Sequence, residues 1–403
     1  MKNDKKPLSG VRVIELSTFV AAPTCAKVLA DWGADVIKVE APFGDSARIA
    51  GAIFKMPITE EENPLFENVN SNKRGVCLNI KSKEGKEALY KLIENADVFI
   101  TNNRTESLKR NGLSYEQLSE KFPNIIFAQI LGYGEKGKDK DKPGFDYTAY
   151  YARGGIMGTL MEKDTSPLNP AAGFGDHQAG MFLAAGVCAA LYKKKCTGKG
   201  DKVTVGLFHT GLFGMATMIP SAQYGNNWPT SRKKPNSPLM NAYKCKDGKW
   251  VQIAIIEYDK YFSKFCKVIE REDLINNDKF NTLSVISSHT QDMVEIVENQ
   301  FAKKSLEEWT KILNNADLPF EKIQLWEDIL EDEQAWDNDY LRKIKYENGH
   351  EGILVNTPVK FQQMGLQGFK KAPKIGENTK EVLLEIGYSE EQIKKMKDDK
   401  DIK

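Results

Sequence analysis

The stretch VRVIELSTFVAAPTCAKVLADWGADVIKV, residues 11–39, decides the fold. Val11–Leu16 is a short apolar strand. Pro23 suits a first helical turn, where its missing N–H costs nothing, so a helix runs from there and stops at Gly33. Asp35–Val39 is a second strand. Strand, helix and strand within about 30 residues make a βαβ unit, whose two strands must be parallel.

Outward from this unit the alternation repeats. Val76–Ile80 reads as a strand, Lys83–Ala96 as a helix and Val98–Thr101 as a strand. Ser114-x-x-Gln117 is a capping box that opens another helix, and the strand Ile125–Ile130 follows. The pattern predicts an α/β fold with an open, mainly parallel sheet. Residues 141–175 are rich in Gly, Pro and aromatics and less regular. From Asp176 to Lys194 the apolar content predicts a helix buried on most sides, and Val203–Leu207 is another strand.

Composition changes in QYGNNWPTSRKKPNSP, residues 223–238, which reads as a linker. Beyond it, Tyr243–Cys245, the turn Asp247-Gly248 and Trp250–Ile256 predict a β-hairpin. Ser305-x-x-Glu308 is a second capping box, within a smaller α+β domain. Ser389-x-x-Gln392 and the charged tail are expected to return to the first domain. The expected division is 1–222 and 331–403 for a large domain built from both chain ends, and 223–330 for the small one.

A net charge of +1 gives no reason to expect nucleic acid or a membrane surface as partner. The segment MKNDKKPLSG has no apolar run, so no signal peptide is expected. Met181–Tyr192, the longest apolar run, is too short to span a bilayer. Six scattered cysteines without a CxxC, and four dispersed histidines, predict neither zinc nor any other metal site, and a cytoplasmic location.

Three segments could carry chemistry. In GFGDHQAG, residues 173–180, Asp176 falls where an irregular loop becomes a helix. Free N–H groups and the helix dipole favour an ionised carboxylate there, and Gly173 and Gly175 would let a ligand approach the backbone. An ordinary N-cap needs the same residue, so both readings stand. In Thr18–Pro23 a strand leads into a helix, a natural phosphate site, but no GxGxxG follows the strand, so a dinucleotide site and a nicotinamide dehydrogenase are not expected. Finally, Lys73, Arg74, Lys81, Arg104 and Arg110 lie at strand ends, and ligands of open α/β sheets bind outside the carboxyl ends.

Together these segments resemble the family III coenzyme A transferases. The resemblance runs through residues 8–45, through NSNKRGVCLNIKSKEGK (70–86), GYGEKG (132–137), GDHQAG (175–180) and YKCKDGKWVQIAI (243–255), and ends in PKIGENTKEVLLEIGYSEEQI (373–393). It implies a Rossmann-like large domain, a smaller domain, and two subunits interlocked like links of a chain. It implies that Asp176 is the nucleophile. It also implies coenzyme A contacts at Val20, Ala21, Leu78, Asn79, Ile80, Lys81, Asn102, Asn103, Arg104 and Arg110. It further implies no permanently bound cofactor, with coenzyme A thioesters as the substrates. The glycine-rich lid of formyl-CoA transferase has no counterpart in SRKKPNSPLMNAY (231–243).

Residues 127–155, 175–186 and 326–341 look like the 2-hydroxyacyl-CoA transferases of amino-acid-fermenting anaerobes. That implies transfer from isocaprenoyl-CoA to (R)-2-hydroxyisocaproate in leucine fermentation, or from cinnamoyl-CoA to phenyllactate, with the product passed to a dehydratase. An apolar pocket would then be needed, with Met157, Met161 and Met181 as candidate linings or core residues. The expected mechanism runs through aspartyl anhydrides and an aspartyl-CoA thioester. A carboxylate is ionised at neutral pH, so no general base is expected. Backbone N–H groups near Gly173–Gly175 are the candidate oxyanion donors. The related α-methylacyl-CoA racemase uses a histidine where Phe145 stands here, before Asp146, and phenylalanine moves no proton. His177 is read as a packing or hydrogen-bonding residue. A non-catalytic coenzyme A-binding subunit would have no need of Asp176 in its glycine setting.

Overall fold

The computed structural model describes residues 6–364 and 368–403; the first five residues of the charged N-terminal stretch and residues 365–367 lie outside it. The chain divides into two compact units. One comprises Met1–Met157, Asn169–Pro220 and Gln334–Lys403, and the other Gly158–Leu168 and Ser221–Glu333.

The first unit is built on a six-stranded sheet of β1 (Arg12–Leu16), β2 (Asp35–Glu40), β3 (Arg74–Cys77), β4 (Val98–Thr101), β5 (Ile126–Leu131) and β6 (Lys202–Gly206). The order is β3-β2-β1-β4-β5-β6 and every pair is parallel. This is the doubly wound arrangement, in which the carboxyl ends of β1 and β4 open side by side. Successive residues of β1 feed opposite faces: Val13 joins one core cluster and Ile14 another. Burial on both faces explains the nearly continuous apolar runs.

Helix α1 (Ala21–Asp31) starts two residues before Pro23, because the first N–H groups of a helix need no partner within it. It ends as expected at Gly33, whose φ of +99° closes the turn, with Ala34 N–H bonded to Leu29 C=O. On the far face lie α2 (Lys83–Glu94), α3 (Thr105–Arg110) and α4 (Tyr115–Lys121), the last opened by the Ser114 capping box. The 24-residue α5 (Phe174–Thr197) packs beside α1. Only one face of α5 is buried, through Gly175, Ala179, Gly180, Leu183, Ala184, Val187 and Ala190. Phe174, Phe182 and Tyr192 are exposed, so the expectation of burial on most sides is corrected. Apolar content alone does not define a stripe; here small residues make it.

In the second unit, β7 (Ala242–Lys244), β8 (Trp250–Ile253) and β9 (Phe320–Lys322) form an antiparallel sheet. It packs with α6 (Tyr258–Val268), α7 (Thr290–Phe301) and α8 (Leu306–Asn315) around an aromatic core. Phe301 stacks on Trp309 with centroids 4.4 Å apart. The Ser305 capping box opens α8.

The C-terminal segment completes the first unit. The outward N–H groups of edge strand β3 are taken by the Asn378 carboxamide (Gly75, 2.9 Å) and the Thr379 hydroxyl (Cys77, 3.0 Å). Just past the strand, Asn79 N–H donates to Asp401 C=O at 2.7 Å. Helices α9 (Thr379–Glu385) and α10 (Glu390–Asp398) add Val382, Leu383, Ile393 and Met396 to the core on that face. An edge strand so covered offers no free ladder to another chain.

Candidate active site

Two helices begin at the carboxyl edge of the sheet. α1 follows β1 directly. α5 runs from that edge to the opposite one, where Lys194 pairs with Asp97 at 2.8 Å, just before β4. The helices touch near their starts: His177 Nδ1 lies 3.0 Å from Thr24 Oγ1. A Cβ on Gly180 would meet Ala21 C=O at 2.7 Å. Candidate residues Ala21 and Asp176 therefore belong to neighbouring helix starts. His177 is a hydrogen-bonding residue, as read from the sequence.

Asp176 is not the N-cap of α5. Gly173 holds that place, with φ +95°, and Asp176 is the third helical residue. The capping acceptor comes from elsewhere. Asp146, 5% exposed, takes the N–H of Gly173 at 2.6 Å and of Gly175 at 2.9 Å, and the Asp176 N–H also donates to it. The N–H groups of Gly173 and Gly175, expected to stabilise an oxyanion, are thus occupied by a carboxylate, which corrects the assignment for those two. Nor is Gly175 open to a ligand. A Cβ there would meet the Tyr150 ring at 2.1 Å and Asp146 Oδ1 at 2.6 Å.

This capping has an electrostatic consequence. Asp176 is partly buried, and its pKa is pushed up to about 7 by that burial and then by the neighbouring Asp146 charge. Burial raises Asp146 as well, against its backbone donors. The expectation of a carboxylate fully ionised at neutral pH is therefore corrected. Two acids share a site, and no cation is among the causes of either shift.

The β1–α1 turn is different. Glu15 and Lys38, register partners on β1 and β2, are both fully enclosed and pair at 3.1 Å. Lys73 reaches Glu15 Oε2 at 2.7 Å, and Lys38 reaches Asp45 Oδ2 at 2.8 Å. Asp45 Oδ1 accepts the N–H of Phe19 at 3.0 Å. Phe19 has φ 63°, a left-handed conformation that costs a non-glycine residue on the order of 1 kcal/mol or more. On the other side Asn102 accepts the Thr18 N–H at 3.0 Å and donates to Thr18 C=O at 2.7 Å.

The remaining sequence-predicted residues separate into kinds. Val20 is partly buried and Ala21 buried at the start of α1. Leu78 is fully enclosed in the core, whereas Asn79 and Ile80 are partly buried and Lys81 exposed beyond β3. Asn103 donates to Leu16 C=O at 3.4 Å, so it and Asn102 hold the β1 exit. Arg104 and Arg110 are exposed at the two ends of α3. Lys73 and Arg74 do not belong with them. Both lie at the amino end of β3, Lys73 enclosed and Arg74 paired with Asp35, Glu381 and Glu385. Met157 and Met181 pack partly against the core, and Met161 belongs to the second unit. Within that unit, the segment 231–243 is tied down by Arg232 and Lys233 to Glu298 and by Tyr243 OH to Pro238 C=O.

Sequence reasoning missed Asp146 as the cap and the enclosed cluster around Lys38. The signal for the second was available: single opposite charges inside the apolar strands VIEL and VIKV.

Comparison with known proteins agrees with this architecture. The family model for CoA-transferase family III matches residues 8–379. An (R)-2-hydroxy-4-methylpentanoate CoA-transferase of Clostridioides difficile is 57% identical over 98% of both chains. A cinnamoyl-CoA:phenyllactate CoA-transferase of Clostridium sporogenes is 47% identical over 100% of this chain and 98% of that one. The crystal structure of a CAIB/BAIF family protein from Brucella suis is 27% identical, with a TM-score of 0.82, and covers 95% of this chain and 100% of that one. No helix among the described residues is long and apolar enough to cross a membrane.

Proposed function

The chain belongs to CoA-transferase family III, and from that premise we propose that it moves coenzyme A from an enoyl-CoA of the isocaprenoyl type to (R)-2-hydroxy-4-methylpentanoate (2-hydroxyisocaproate), with Asp176 as nucleophile. As a CoA-transferase it uses coenzyme A thioesters as substrates. The observation that carries the reading is Asp176 itself: a carboxylate in the first turn of α5, partly buried and beside the start of α1. The branched-chain acceptor is favoured by 57% identity to the Clostridioides difficile enzyme, against 47% for the aryl one.

An Asp176 oxygen bonds to the thioester carbonyl carbon, the C–S bond breaks, and the coenzyme A thiolate leaves with the electron pair. The thiolate then attacks the aspartyl carbonyl of the mixed anhydride and expels the donor acid as a carboxylate. The acceptor carboxylate attacks the resulting aspartyl-CoA thioester, releasing thiolate and forming a second anhydride. Thiolate attack on the acceptor's carbonyl completes the transfer and regenerates Asp176. Only the ionised form of Asp176 starts the cycle, so a pKa of about 7 leaves the protein active from neutral pH upward. No resident cofactor enters this scheme. Val20, Ala21, Leu78–Lys81, Asn102–Arg104 and Arg110 form the coenzyme A surface.

Two copies interlock as the working unit. The exposed rings of Phe182 and Phe213, 5.5 Å apart, and the exposed Tyr192 support a second copy on this face. The protein acts in the cytoplasm, and its 2-hydroxyacyl-CoA product is what a dehydratase would consume.

The test is transfer from isocaprenoyl-CoA or cinnamoyl-CoA, with (R)-2-hydroxy-4-methylpentanoate and (R)-phenyllactate competing as acceptors. The expected result is preference for the branched acid and a loss of roughly 10⁴-fold or more in Asp176→Ala. Full activity in that variant, or preference for phenyllactate, would overturn the corresponding part of the reading.

A further inference from the structure

We propose that Asp45 is a positioning residue for coenzyme A: it fixes the turn Thr18–Val20 in the ligand-free protein by holding the Phe19 N–H while Lys38 holds Asp45. The inference rests on the reading above that Val20 and Ala21 touch coenzyme A.

The chain leaving β1 is gripped at three successive residues. Lys38 Nζ donates to Ser17 C=O at 3.2 Å. Asn102 takes both backbone groups of Thr18. Asp45 takes the N–H of Phe19. Asp45 cannot swing away from this task. It is 4% exposed, its Oδ1 also accepts the Ala47 N–H at 2.9 Å, and its Oδ2 faces Lys38. Its own N–H donates to Glu40 Oε2 at 2.8 Å, and Glu40 is fixed by Arg48. A left-handed phenylalanine persists only where its surroundings over-determine it, and here they do. With the turn already set, a ligand need not order it on binding.

The cluster is also charge-balanced, with Glu15 and Asp45 against Lys38 and Lys73. Removing Lys38 and Asp45 together leaves Glu15 paired with Lys73, so no enclosed charge is stranded. This makes a clean comparison of two double variants, Lys38→Met with Asp45→Asn and Lys38→Met with Asp45→Ala. Asparagine keeps an oxygen for the Phe19 N–H and alanine does not.

In the alanine variant the KM for the acyl-CoA donor is expected to rise roughly tenfold, with kcat within about twofold and the KM of the acceptor acid unchanged. The asparagine variant should stay within about threefold of the unaltered protein. Equal donor KM in both variants and the unaltered protein overturns the proposal, as does an equal rise for donor and acceptor. Amide hydrogen exchange of Phe19 in the unaltered, ligand-free protein gives a second measurement that does not depend on any variant folding. Protection like that of β1 is expected; exchange as fast as in an unstructured peptide overturns preset anchoring. Absence of transfer by the unaltered protein would overturn instead the functional reading beneath the proposal.

Discussion

Glu15 and Asp176 are both carboxylates at the carboxyl side of one sheet, and their surroundings drive them in opposite directions. Glu15 is the more deeply enclosed. Burial alone would raise it, yet Lys38 and Lys73, with hydrogen bonds from Lys73 and Ser17, hold its pKa at about 2. Asp176 keeps some contact with water and still rises to about 7, because no cation opposes its burial and the charged neighbour it does have, Asp146, adds to the rise. Depth of burial therefore does not decide the charge state; a cation in contact does. The same logic divides the roles. The neutralised cluster shapes backbone, and the unneutralised pair holds a carboxylate poised near its titration point, as reactive groups require.

The comparison breaks most visibly if the cluster is unbalanced. Lys73→Met leaves two enclosed carboxylates facing one lysine, and a loss of about 3–5 kcal/mol is expected in chemical denaturation at pH 7. A loss below about 1 kcal/mol would mean that Lys38 alone satisfies both acids.

At the other pole, Asp176→Asn should stabilise the protein. The folded state holds the Asp176 proton up to about pH 7, while the unfolded chain releases it near the ordinary value of 3.8. Stability is therefore lost as pH rises from about 4 to 7 and stays lost above. The variant should gain on the order of 1–2 kcal/mol at pH 8, discounted for the water contact, and nothing below about pH 4. No gain at pH 8 in thermal unfolding would show Asp176 to be ionised without cost.

The smallest effect sharpens the cause. Asp146→Asn removes the like charge and keeps an acceptor for one of the two glycine N–H groups, which bond to different oxygens of the carboxylate. The acid limb of the transfer rate should move to lower pH, by less than about one unit because burial is the larger cause. An unmoved limb would assign the whole rise to burial.

Much of the fold was legible in the sequence because its signals are local. The βαβ unit at residues 11–39, the capping boxes at Ser114, Ser305 and Ser389, and the hairpin turn at Asp247-Gly248 each depend on neighbours within a few residues. Asp176 was placed correctly at a helix start, but its charge state was not. That depends on burial in the folded protein and on Asp146, thirty residues earlier, folded back to cap the same turn. Arg74 illustrates the reverse: read as a strand-end cation, it is the first residue of β3, and its partners Glu381 and Glu385 come from about 300 residues further along the chain. The Glu15–Lys38 pair depends on register between strands, which only the assembled sheet supplies.

The covering of β3 by Asn378, Thr379 and Asp401 has a consequence for synthesis. About 300 residues separate the strand from its cover, so at about 5–20 residues per second the bare edge waits roughly 15–60 seconds on the ribosome. Throughout that interval its amides are available to any extended segment nearby. The nascent chain is thus open to wrong pairing at an edge that the finished molecule seals.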